Sequence, residues 1–134
     1  MHKRLIPLAL AAACASAAVA AGEPLVVSVK RLSMDTAVEL AQATIAACRA
    51  KGIQIGVTVV DRDGTVQVQL RDTIAAPITG PISKMKAFTA ANFNSATSAM
   101  AARAETPIGR IDGLVMSAGG LPIQVGGALI GAVG

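Results

Sequence analysis

Two runs of alternating apolar residues, joined by an acidic turn that contains a glycine, constrain this chain more than anything else in it. Ile53, Ile55, Val57 and Val59 alternate with Gln54, Gly56 and Thr58. Side chains on a strand point to opposite faces in turn, so this spacing predicts a strand with one buried face. Asp61-Arg-Asp-Gly64 follows, and Gly64 can take the positive φ that a tight hairpin turn demands. The chain then returns through Val66, Val68 and Leu70, with Gln67 and Gln69 on the other face. An antiparallel hairpin is the expected result. After it, Ala76 to Pro81 reads as a rigid connector whose two prolines mark the start of a helix near Ile82. That helix should reach about Phe93, with Ile82, Met85, Phe88 and Thr89 on one side.

An amphipathic helix precedes the hairpin. Ser33 suits an N-cap, and Asp35 and Glu39 suit the positive end of a helix dipole. Ala37, Ala41, Ile45 and Cys48 form its stripe, Arg49 and Lys51 occupy the last turn, and Gly52 ends it. Before that helix, Leu25 to Val29 reads as an edge strand. Beyond Phe93, Thr97 or Ser95 caps a short helix to about Ala104, and Thr106 to Gly113 is a loop. Leu114 to Ser117, Ile123 to Val125 and Ala128 to Val133 read as three short strands.

The first residues carry an address. A basic Met1-His-Lys-Arg4, an apolar run from Leu5 and a small-residue Ala18-Val-Ala20 make the layout of a secretory signal over 1–20, cleaved after Ala20 or Ala21. A membrane anchor is the competing reading, but the run is marginal in length and built largely of weakly apolar Ala. Acylation of Cys14 is a further alternative, weakened by Ala11 three positions before it. The expectation is an exported protein, periplasmic or extracellular, with a leader over 21–31 and no membrane span after cleavage. Cleavage removes Cys14, so Cys48 has no partner for an intrachain disulfide, and its helical spacing suits a buried small hydrophobe.

The mature part, about 114 residues, is enough for one domain. Its formal charge falls from +4 to +2 once Lys3 and Arg4 leave, which does not call for nucleic acid. With no Trp or Tyr, only Phe88 and Phe93 could stack on bases, so a single-strand platform is not expected. The core must be aliphatic and closely packed, and self-association would help it bury enough surface.

In this order and spacing the pieces resemble the GlcG/HbpS family, which includes haem-binding proteins and the carboxy-terminal domain of PduO-type proteins. The resemblance rests on Lys51-Gly52, Val59-Val-Asp61 with Gly64, Arg71-Asp72, Lys86-Ala-Phe-Thr-Ala90, Gly119-Gly-Leu-Pro-Ile123 and Gly131-Ala-Val-Gly134. It spans residues 32–134. It implies an α/β (α+β) profilin-like sandwich, a central antiparallel sheet with helices packed on it, that assembles into homo-oligomers and in several members binds haem or a related tetrapyrrole. Two departures stand out. Many exported members carry a His after the Arg-Asp pair, where this chain has Ala76-Pro-Ile78-Thr79, and the only His of the chain is His2. His-ligated haem iron is therefore excluded in the mature protein, which leaves Cys48, a Met or a weak oxygen donor. Members also continue past Gly134 with a loop and a final helix, so the resemblance implies a domain truncated at its carboxy terminus.

Asp61 and Asp63 are explained by the turn, because a calcium loop would need further oxygen ligands and a Glu that this segment lacks. Arg71, Asp72, Lys84 and Lys86 are the candidate binding residues, lying where a strand ends and a helix begins. Arg and Lys there could hold propionates or a small dicarboxylate. The bland alternative pairs Arg71 with Asp72, or with another carboxylate at an oligomer contact, and leaves the lysines solvated. No Ser-His-Asp or Cys-His arrangement can be built without a His in the mature chain. The leading expectation is an exported small-ligand-binding protein, with haem or a related tetrapyrrole as ligand. An enzyme or accessory subunit acting on a small acidic metabolite, and an assembly module without a ligand, stand as alternatives.

Overall fold

The computed structural model describes Gly22 and residues 24–134. The proposed signal over 1–20 lies outside the described residues. The elements run α1 (Met34–Arg49), β1 (Gly56–Asp61), β2 (Val66–Arg71), α2 (Thr79–Phe93), two 3-10 segments (Thr97–Glu105 and Pro107–Arg110), β3 (Leu121–Val125) and β4 (Ala128–Val133). The strands form one antiparallel sheet in the order β2-β1-β4-β3.

The sheet is covered on both sides. Val57 and Val59 pack with Ala37, Ala41 and Ile45 of α1 on one face. Val60 and Ala132 pack with Ala87, Ala90 and Ala91 of α2 on the other. Every residue of β1 is therefore buried, whereas its alternation alone predicts one buried face. The polar residue on the α2 side is Thr58, and it shares a 2.7 Å hydrogen bond with Ser83. Val57, Val59 and Val60 are fully buried, and each contributes roughly 1.5–3 kcal/mol of transfer free energy.

Small residues let α2 lie close to the sheet and its connections. A Cβ on Gly120 would stand 2.5 Å from the carbonyl oxygen of Lys86, and one on Gly56 would stand 2.8 Å from the backbone of Thr79. Only glycine fits at such approaches.

Several local expectations hold. Ser33 Oγ accepts from the Thr36 amide at 3.3 Å, so α1 is capped where its sequence suggests. In the hairpin, Asp61 Oδ1 accepts from the amides of Asp63 and Thr65 at 2.9 and 3.0 Å, and Gly64 sits at φ +86°. Arg31 ties the leader to this turn, reaching Asp61 at 3.0 Å and Asp63 at 2.6 Å.

Four local expectations are corrected. α2 begins at Thr79 rather than near Ile82, because Pro81 falls in the first turn, where a missing N–H costs no helical bond. Leu114 to Ser117 is not a strand. It lies against α2, where the Val115 amide donates to Thr89 Oγ1 at 3.0 Å, and β3 takes the place beside β4. Leu25 to Val29 joins no ladder, and its apolar side chains are exposed, fully so at Leu25. The segment from Thr97 is 3-10, and Thr97 does not cap it. Thr97 instead exchanges backbone and side-chain bonds with Gly120, which fixes the turn before β3.

Candidate functional site

Gly134 and Thr58 exchange backbone hydrogen bonds of 2.9 and 3.0 Å, and from that pair β1 extends to Gly56 beside β2. A cavity of about 520 Å³ opens there, walled by both helices. From α1 come Leu40, Thr44 and Cys48, spaced four apart on one face. From α2 come Thr79, Ile82, Ser83 and Lys86, again on one helical face. Ile55, Gly56, Leu121, Val133, Gly119 and Gly134 complete the lining.

Two groups in this lining carry distinctive chemistry. Cys48 is a free, half-buried thiol, and it is the one sulfur among the lining residues. Lys86 is the one cation among them, and its Nζ donates to the Ala118 carbonyl oxygen at 2.7 Å. Gly119 makes room for it. A Cβ on that glycine, which sits at φ +125°, would lie 3.1 Å from Lys86 Nζ. Ser83 and Thr44 are turned to internal partners, with Ser83 Oγ donating to Gly80 O at 2.8 Å and Thr44 Oγ1 to Leu40 O at 2.7 Å.

A second hollow of about 450 Å³ lies on another face of α1, lined by Gln42, Ile45 and Arg49 with Leu70, Arg71, Asp72 and Thr73. Its centre is an ion pair. Arg49 donates from Nε and Nη2 to the two oxygens of Asp72, at 2.7 and 2.5 Å, and the Thr73 amide donates to Asp72 at 2.8 Å. The Arg49 hydrogen bond holds the Asp72 carboxyl below the ordinary aspartate value, against the opposing effect of burial. The same pairing raises Arg49 above its ordinary value.

The four residues selected from sequence therefore divide. Arg71 and Asp72 share the polar hollow, Lys86 lines the apolar cavity, and Lys84 is exposed and lines neither. Positions two apart on a helix point in nearly opposite directions, so Lys84 and Lys86 cannot serve one site. The pairing of Arg71 with Asp72 is corrected: Arg49 takes the carboxylate, and Arg71 Nη1 donates to the Ala75 carbonyl. Sequence reasoning used Arg49 only as a favourable charge at the end of α1, and its distance of 23 positions from Asp72 gave no local signal. Cys48 was the reverse case, since its helical spacing read as core.

One helix on each face of a four-stranded antiparallel sheet, with a hollow between the two helices, defines a small α/β domain. A protein-family model described as haem degrading protein HbpS-like matches residues 32–134, and the chain belongs to that family. Among solved structures, a double mutant of Streptomyces reticuli HbpS superposes with a TM-score of 0.78 at 34% identity, covering 90% of this chain and 84% of that one. A Klebsiella pneumoniae protein, ORFY, gives 0.77 at 22% identity, covering 84% and 82%. A PduOC–heme complex gives 0.72 at 24% identity, covering 78% and 80%. No curated protein matches the sequence.

Proposed function

We propose that this protein is an exported binder of haem or a related tetrapyrrole, held in the apolar cavity between α1 and α2. One observation carries the reading: a single sulfur donor and a single cation stand in an otherwise largely apolar wall of ligand size. That donor set suits a group with an apolar ring, a metal and acidic side chains. The family's description as haem degrading and the haem complex of a structural neighbour support the ligand class. When bound, haem supplies a redox-active iron. Leu40, Ile55, Ile82 and Val133 would bury the ring and exclude water. Of the sulfur donors considered from sequence, Cys48 is the one in the lining, and it would offer a thiolate to iron. Lys86 gives one N–H to Ala118, which leaves two for a propionate.

Export is supported by the signal layout of residues 1–20. Self-association is supported by the exposed Leu25, Val26 and Val27, because contiguous apolar surface is commonly covered by a partner. Haemin titration of the mature chain tests the ligand. A saturable Soret shift is expected, with an altered band in Cys48→Ser and affinity about tenfold lower in Lys86→Ala. Absence of a shift, or wild-type behaviour of both variants, would contradict the proposal.

A further inference from the structure

The polar hollow beside α1 carries a charge that nothing in it neutralises. Arg49 and Asp72 cancel one another, and Asp72 already accepts from Arg49 Nε, Arg49 Nη2 and the Thr73 amide. Arg71 has no carboxylate within ion-pair distance among the described residues. Its Nη1 is fixed by the Ala75 carbonyl, which orients the guanidinium and leaves its other N–H groups available. The Gln42 amide and the Thr73 hydroxyl, both lining the same hollow, make no hydrogen bond among the described residues. Half-buried Leu70 and the edge of the core residue Ile45 supply apolar surface in the same lining.

We infer that this hollow is a second binding site, for a small organic carboxylate with a short hydrocarbon body. The carboxylate pairs with the Arg71 fork and accepts from Gln42 or Thr73, while the hydrocarbon rests on Ile45 and Leu70. Three features favour this class. Arg presents a planar fork that matches a carboxylate bidentately. The Arg49–Asp72 pair holds the Asp72 charge in place, so it does not compete for Arg71. The apolar surface of Ile45 and Leu70 gives an organic acid contacts that a bare inorganic anion would lack. The site shares no lining residue with the cavity assigned to haem, so the two readings stand or fall separately.

Titration of the mature chain with succinate, followed by backbone and side-chain amide NMR shifts, is the test. Saturable shifts are expected at Gln42, Arg71 and Thr73, with about fivefold weaker binding in Arg71→Gln and an intermediate loss in Arg71→Lys. Haemin binding should be unchanged in both variants. Shifts that fail to saturate, that sodium chloride of equal ionic strength reproduces, or that saturate with the parent's affinity in Arg71→Gln would overturn the inference.

Discussion

The two hollows that flank α1 are built on opposite principles. The larger lies beside the Gly56 end of β1, and its wall is mostly aliphatic with one thiol and one amine. The smaller is organised by an ion pair between α1 and the end of β2, with guanidinium and amide groups at its rim. Burial of apolar surface drives binding in the first, whereas oriented charge governs the second. The lesson concerns α1 itself: Leu40, Thr44 and Cys48 face one hollow while Gln42, Ile45 and Arg49 face the other. One helix thus separates two kinds of recognition, and neither hollow borrows a residue from the other.

The most damaging way to break this comparison is to push α2 off the sheet. A Cβ on Gly120 would stand 2.5 Å from the Lys86 carbonyl oxygen. Gly120→Ala should cost about 2–3 kcal/mol, seen as a fall in Tm of about 10 °C or more, and should abolish haemin binding. The polar hollow, which α2 does not line, should keep its succinate response in the fraction that remains folded.

A finer cut leaves the fold intact. Lys86→Ala should weaken haemin about tenfold and leave succinate binding unchanged, as measured by parallel titrations. Arg71→Gln should do the opposite, with stability within about 0.5 kcal/mol of the parent because Arg71 is exposed.

Acid should act on the polar hollow through Asp72. The Asp72 value is depressed in the folded state, so its contribution to stability is present above the ordinary aspartate range and is lost as pH falls through the folded value. Urea unfolding across an acid series should show that loss, and Asp72→Asn should flatten it. An unchanged slope in Asp72→Asn would show that the ion pair with Arg49 contributes nothing to the pH dependence.

Much of the scaffold was legible in the sequence because its signals are local. Ser33 caps α1, and Asp61 with Gly64 builds the hairpin turn, each acting within a few residues. The start of α2 and the path of Leu114 to Ser117 were less legible. Pro77 and Pro81 mark a helix entry near Ile82 in the sequence, whereas the helix starts at Thr79 with Pro81 inside its first turn. The Leu114 to Ser117 segment is apolar enough for a strand, yet β3 takes the position beside β4. The candidate sites were the least legible part. Arg71, Asp72, Lys84 and Lys86 are close in the chain, but the divergence of side chains along α2 and the long-range pull of Arg49 send them to three different places.

The central claim is the location of the haem site, and paramagnetic mapping tests it most directly. Ferric haem added to the isotopically labelled protein should broaden resonances of Leu40, Cys48, Ile82 and Lys86, while Gln42 and Thr73 stay sharp. Broadening centred on Gln42, Arg71 and Thr73, with Ile82 and Lys86 unaffected, would contradict the account.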